Sequence, residues 1–237
     1  MTYQIDFSNI LTMEYMVRIA RGILLTIELG ICAWLIAAVM GVLLTILRMT
    51  PSRLLQAAVA VFVEVHQNIP LLVQIFFWYF AIPELLPADV TAAINAANGE
   101  FIFAVCAIGF CFSAYVSEAL RSGIRAIPTV QYESGRALGF SFLSTFRYIV
   151  APEATRLALP SLTNITLLLF KNTSLAAAIG VNELTSVSRS IESSTFRTFE
   201  IFTIATTLYL IMSAAIVVIG WKLEKSMRDA VERGAGR

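Results

Sequence analysis

From Gly22 to Leu47 the chain carries one charged residue, Glu28, in an otherwise apolar run. A bilayer hydrocarbon core is about 30 Å thick and takes roughly 20 helical residues to cross, so a run of this length and character belongs in a membrane. Composition agrees, with 58% hydrophobic residues, 14% charged and a mean hydropathy of +0.78. A soluble domain is roughly 45 to 50% apolar and about 25% charged, and one water-facing globule could not bury the excess. Four more candidate spans follow: about Leu54 to Ile82, interrupted by Glu64, His66, Gln67, Asn68 and Pro70; about Phe101 to Ser122; about Leu157 to Gly180; and about Phe199 to Trp221. The expected fold is an all-α integral membrane protein of five spans. Residues 1–21 form an N-terminal segment, 22–223 one transmembrane domain and 224–237 a tail.

Five spans place the termini on opposite sides, and the basic residues say which is which. Arg48 and Arg53 follow the first span, Arg121, Arg125, Arg136, Arg147 and Arg156 lie between the third and fourth, and Lys222, Lys225, Arg228, Arg233 and Arg237 form the tail. The other side holds Arg18, Arg21, Arg189 and Arg197, with Lys171 inside span four. The N-terminus is therefore expected outside and the C-terminus in the cytoplasm. Asp6 and Glu14 precede the first run and no basic opening does, so the leader is expected to stay attached rather than be cleaved as a signal peptide. Ile5, Phe7, Ile10, Leu11 and Val17 fit a short interfacial helix or an irregular leader. A net charge of +1 offers no basic field for nucleic acid. Cys32, Cys106 and Cys111 sit in apolar runs without CxxC spacing, so neither disulfides nor metal sites are expected.

The segment between spans three and four, about residues 125–156, is long for a structureless loop and reads as ordered. Pro128 can open a helix that runs through Leu138, and Gly139 can end it. Ser141 then suits the N-cap of a second helix to about Val150, closed before Pro152. Phe142, Phe146 and Ile149 recur at steps of three and four, giving that helix one apolar face. Lying on the bilayer and docking a partner explain such a face equally well.

Gln131-Tyr132-Glu133-Ser134-Gly135-Arg136-Ala137-Leu138-Gly139, followed by Phe146, Ile149 and Pro152-Glu153-Ala154, resembles the EAA loop of ABC importer permeases. Ser134 and Gly135 stand where that pattern has two alanines. Pro70-Leu71-Leu72-Val73-Gln74 with Trp78-Tyr79-Phe80, Tyr115-Val116-Ser117-Glu118 with Arg121-Ser122-Gly123-Ile124, and Lys171-Asn172-Thr173-Ser174-Leu175 are similar to polar amino-acid permeases of the histidine/glutamine/glutamate type. Ile31-Cys32-Ala33-Trp34 and the run from Trp78 through Pro87 look most like glutamate/aspartate permease subunits. Gln67 stands where the family commonly has Arg.

This resemblance implies half of the transmembrane pathway of an amino-acid importer in a bacterial inner membrane, carrying glutamate, aspartate or their amides. It implies a second permease subunit, a different chain being favoured over an identical one, two ABC ATPase subunits, and an extracytoplasmic binding protein. Glu133, Ser134, Gly135, Ala137, Leu138, Gly139, Phe142, Phe146, Ile149 and Pro152 would then meet the ATPase, and the loop would transmit alternating access. The chain has no GxxxxGK[ST] loop, so ATP and Mg are expected in the partner ATPase and no cofactor in this chain.

Polar residues inside the spans carry the remaining information. Ser161, Asn164, Lys171 and Ser174 fall at steps of three and seven, near one face of span four. Lys171 lies about 21 Å along the helix from Leu157, toward the outer interface. Snorkelling or structural pairing and contact with a transported solute are both open to it. Asn172 and Thr173 have the groups to bind an amino-acid backbone, which makes Asn164, Lys171, Asn172, Thr173 and Ser174 the candidate pathway residues. Glu118 and Arg121, three apart, are expected to pair near the inner end of span three. No convergent acid, base or nucleophile supports an intramembrane enzyme. A stand-alone secondary transporter or channel is the alternative, but no internal repeat is evident.

Overall fold

A computed structural model describes residues 5–235, and the described residues are almost entirely helical. In chain order the elements are α1 (Met13–Met49), α2 (Arg53–Asn68), α3 (Leu71–Phe76), a π-helical turn (Phe77–Ala81), α4 (Ile82–Leu85), α5 (Ala88–Ala96) and α6 (Gly99–Arg125). They continue as α7 (Thr129–Ala137), α8 (Phe142–Thr145), a second π turn (Phe146–Val150), α9 (Ala151–Asn172), a 3-10 segment (Thr173–Ile179), α10 (Leu184–Thr195) and α11 (Thr198–Ala235). Among the described residues four helical stretches are long and apolar enough to cross a membrane, and a bent pair makes a fifth.

α1 begins earlier than the expected span. Thr12 caps it by accepting from the Tyr15 N–H, so Met13 to Arg21 are the first turns of the spanning helix itself. Before it lies a short turn whose Ile10 is fully buried. Of the two readings of the leader, residues 5–12 take the irregular one, with no separate interfacial helix. The buried face of α1 is a ladder of small residues, Gly22, Thr26, Gly30, Ala33, Ala37, Gly41 and Thr45, which lets neighbouring backbones come close. A Cβ on Gly41 would stand 2.6 Å from Val116 Cγ1, and one on Gly109 of α6 would stand 2.7 Å from Ile36 Cβ, so α1 and α6 interlock through their glycines. The core beside them gathers Leu29, Ile75, Ile108, Phe112, Leu169 and Ala176 from α1, α3, α6, α9 and the 3-10 segment.

The second span is not one straight helix. The chain bends by 106° between α2 and the Leu71–Leu85 stretch. Pro70 has no N–H and drives Ile69 out of helical geometry, to φ −94° and ψ 130°. Breaking a helix in an apolar setting strands carbonyls. Here Gln74 supplies the missing donor, its Nε2 donating to His66 O at 2.9 Å and Ile69 O at 2.8 Å.

The loop before span four also departs from expectation at one end. α7 and its stop at Gly139 (φ +87°) are as read, and Ser141 does cap α8, accepting from Ser144 N–H at 3.2 Å. Pro152, however, does not close that helix. A π turn at Phe146–Val150 precedes α9 and places Pro152 in its first turn, where a missing N–H is tolerated, so helix continues from Phe142 to Ile179.

α10 lies between spans four and five. Glu183, fully buried, caps it by accepting from Thr185 N–H at 2.9 Å, Ser186 N–H at 2.8 Å and the Tyr209 hydroxyl at 2.8 Å. Thr26 of α1 accepts from Leu184 N–H at 3.1 Å, which ties the same corner to the first span.

Candidate functional site

The break in the second span creates a hollow. A cavity of about 380 Å³ opens between the Gln67–Leu71 corner, α6 and α9, lined by Gln67, Asn68, Cys111, Tyr115, Leu168 and Asn172 among others. Its lining holds amides, a phenol and a thiol but no charged side chain. Such a surface can hydrogen-bond a zwitterion along a path without trapping it in an ion pair.

A second groove, of about 460 Å³, runs between the end of α9 and α11 and takes in Lys171, Ser174, Thr185, Thr206, Tyr209 and Ser213. Lys171 is the one charged residue in that lining. The expected polar stripe is thus divided. Lys171 and Ser174 face the α11 groove, Asn172 faces the hollow at the break, and Asn164 is exposed and lines neither. Successive residues on an α-helix turn by about 100°, which sends Lys171 and Asn172 to different faces. Thr173 corrects the reading outright. It is fully buried and its hydroxyl donates to Phe170 O at 2.7 Å, so it presents nothing to either cavity.

At the arginine-rich end, Glu118 and Arg121 pair as expected, Arg121 Nε donating to both carboxylate oxygens at 3.1 and 3.0 Å. A third member joins them from seventy positions earlier: Arg48 Nη1 reaches Glu118 Oε1 at 2.5 Å. The carboxylate therefore clips the end of α1 to α6. No helical spacing could have revealed Arg48, because the contact is made by tertiary packing.

The loop between spans three and four forms a helical hairpin. α7 lies against the following turns so closely that a Cβ on Gly135 would stand 2.7 Å from Thr145 Cγ2 and 3.0 Å from Ile149 Cδ1. Gly139 N–H donates to Arg136 O and Phe140 N–H to Gly135 O, which closes the bend. The predicted apolar face does not survive intact. Phe146 packs inward with Ile127, Val150 and Ala154 and Ile149 abuts Gly135, whereas Phe142, in the first turn of α8 at the hairpin tip, is 67% exposed. Leu138 (75%) and Leu143 (72%) are exposed with it, and Phe140 and Tyr148 complete an apolar tip. Glu133, Ser134 and Ala137 are exposed on α7, and Pro152 is exposed at the start of α9.

Residues 36–229 match the family described as the inner membrane component of binding-protein-dependent transport systems. The chain belongs to this family. The permease is 32% identical over 218 residues to the glutamate/aspartate import permease protein GltJ of Escherichia coli (strain K12), covering 90% of this chain and 89% of that one. It is 31% identical over 205 residues to the histidine/lysine/arginine/ornithine transport system permease protein HisM of the same strain, covering 86% of each. Among solved structures, an amino acid ABC transporter crystallised with histidines superposes with a TM-score of 0.82 at 26% identity, over 94% of this permease and the whole of that chain. The protein is thus a multi-pass inner-membrane permease of an amino-acid ABC importer, a transport component and not an enzyme. The stand-alone transporter alternative falls with that membership.

Proposed function

We propose that this permease carries glutamate, aspartate or their amides, and forms half of the pathway beside a second permease subunit, a different chain before an identical one. Lys171 supports the substrate class: the lining of the α11 groove presents one cation and no carboxylate, together with the hydroxyls of Ser174, Thr185 and Ser213, and Glu183 lies buried behind Thr185 and Tyr209. An acidic amino acid leaving its binding protein meets an attractive charge there, and a cationic one meets repulsion. The uncharged hollow at the span-two break, with Asn172, Gln67 and Asn68, then gives the solute a second polar surface. GltJ, named for glutamate and aspartate, is in keeping with this reading.

The hairpin is the ATPase contact in this account. Its exposed tip, Leu138, Phe140, Phe142 and Leu143, is an apolar patch on an ordered, glycine-hinged element, a form suited to seating in a partner groove. Glu133, Ser134 and Ala137 flank that contact, and Gly135, Phe146 and Ile149 hold the hairpin closed behind it. ATP and Mg belong to the two ATPase subunits, and the N-terminus faces the binding protein with the hairpin in the cytoplasm. Co-purification of the ATPase and binding-protein-stimulated hydrolysis test the docking. A Phe142→Asp/Leu143→Asp permease that still inserts is expected to lose both, and unchanged stimulation would remove the hairpin from the contact.

A further inference from the structure

Beside the Glu118 clip lies a cavity of about 530 Å³ that neither the pathway nor the hairpin uses. It opens between the last turn of α1, the first turn of α2 and the end of α6, and Arg48, Arg53, Arg121 and Arg125 line it with Gln56. Glu118 engages Arg48 and Arg121. Arg53 and Arg125 are exposed and have no ion-pair or hydrogen-bond partner among the described residues. Four guanidinium groups against that single carboxylate leave a positive excess around a concave surface. α2 adds to it: the first turn holds no acidic side chain, so the positive end of its dipole is uncompensated where Arg53 begins the helix.

The surroundings specify how an anion would be presented. Leu43 (45% exposed), Ile46 (55%) and Met49 (42%) lead up α1 to the cavity, and Leu54 (79%) leaves it on α2. A cationic hollow bordered by exposed aliphatics at a span end is complementary to an amphiphile with a phosphate head. Guanidinium forks match phosphate oxygens in pairs, and basic pockets between membrane helices hold anionic headgroups.

We propose that this hollow binds the phosphate headgroup of an anionic phospholipid. Arg53 and Arg125 make the direct contacts, and Glu118 holds Arg48 and Arg121 in place behind them. The lipid thereby braces the α1, α2 and α6 ends from which the hairpin departs. Inorganic phosphate shares the chemistry but lacks the chains, so the two sources are separable.

The test uses the whole transporter complex in nanodiscs, with phosphatidylglycerol or phosphatidylcholine supplied and retained lipid counted by native mass spectrometry after detergent washing. Phosphatidylglycerol should be retained at least about tenfold over phosphatidylcholine, and Arg53→Gln/Arg125→Gln should lower that retention by a similar factor. Millimolar inorganic phosphate should not displace it. Equal retention of both lipids, or equal retention by the variant, would overturn the site. Displacement by inorganic phosphate would reassign it to a soluble anion and overturn the lipid source. Should the double variant not assemble, Arg125→Gln carries the same test, with a partial loss expected and unchanged retention contradicting the proposal.

Discussion

The side-chain amide of Gln74 reaches back eight residues to the carbonyl of His66, 2.9 Å away, and takes the Ile69 carbonyl at 2.8 Å. One buried amide thus satisfies two of the carbonyls exposed by the turn at Pro70, and holds the corner beside which the hollow at Asn172 lies. Gln74→Leu keeps the volume and removes the donor. It should cost about 1 to 3 kcal/mol, the usual penalty for buried polar groups left unpaired. The readout is the thermal midpoint of the complex in nanodiscs together with uptake, and a variant with wild-type values for both would show that the corner does not depend on the clasp.

The hairpin should be more sensitive at Gly135 than at Gly139. A Cβ at Gly139 meets no atom within 4 Å, so Gly139→Ala bears only the strain of its positive φ, roughly 1 kcal/mol. At Gly135 the added atom meets Thr145 and Ile149, and the two arms must part. Gly135→Val is expected to insert normally yet lose most of the binding-protein-stimulated ATPase activity, while Gly139→Ala keeps most of it. The reverse order of effects would mean that bend flexibility, and not close packing of the arms, governs coupling.

Burial of Glu183 raises its pKa from the ordinary glutamate value, against the lowering effect of the Thr185 and Ser186 N–H groups and the Tyr209 hydroxyl. Between the unfolded and folded values the native chain holds a proton that the unfolded chain has released. Stability from this group is therefore full below the unfolded value, falls as pH rises through the window, and levels off above the folded value. Glu183→Gln cannot titrate and should flatten that part of the stability profile. Thermal midpoints measured from acidic to neutral pH check it, and parallel profiles for the two proteins would exclude the carboxyl as a source.

Lys171 should matter for transport and not for insertion. A charge at mid-bilayer costs about 2.5 to 3.5 kcal/mol on the insertion scale and less near the interface, so a neutral residue does no harm to folding. Lys171→Met is expected to leave assembly intact and to lower uptake or raise the apparent substrate constant. Assembly and uptake measured on one preparation separate the readings: unchanged uptake would assign Lys171 to snorkelling, and failed assembly would assign it to a buried ion pair.

Spans one, three and five were legible because each is a long run with few charges, a property of composition that packing does not alter. Pro70 and the polar cluster before it were visible too, but their consequence was not. Whether such a cluster kinks a helix or turns it by 106° depends on Gln74 reaching His66, a tertiary contact. The division of the span-four stripe was open to simple geometry, since Lys171 and Asn172 are adjacent and lie about 100° apart. Burial of Thr173 was not, because it comes from tertiary packing, with Gly30 of α1 standing against its methyl group. Exposure of Phe142 was not legible either, because it sits in the first turn of α8 at the hairpin tip, and helical periodicity does not say how far packing extends along a face.

Uptake of labelled glutamate into proteoliposomes tests the central claim most directly, with ATP sealed on the ATPase side and binding protein on the other. The account predicts accumulation that requires both and that aspartate, glutamine and asparagine compete with. Arginine and histidine should leave it untouched. Inhibition by arginine and histidine but not by the acidic amino acids and amides would contradict the substrate assignment, and accumulation without ATP would contradict the importer mechanism itself.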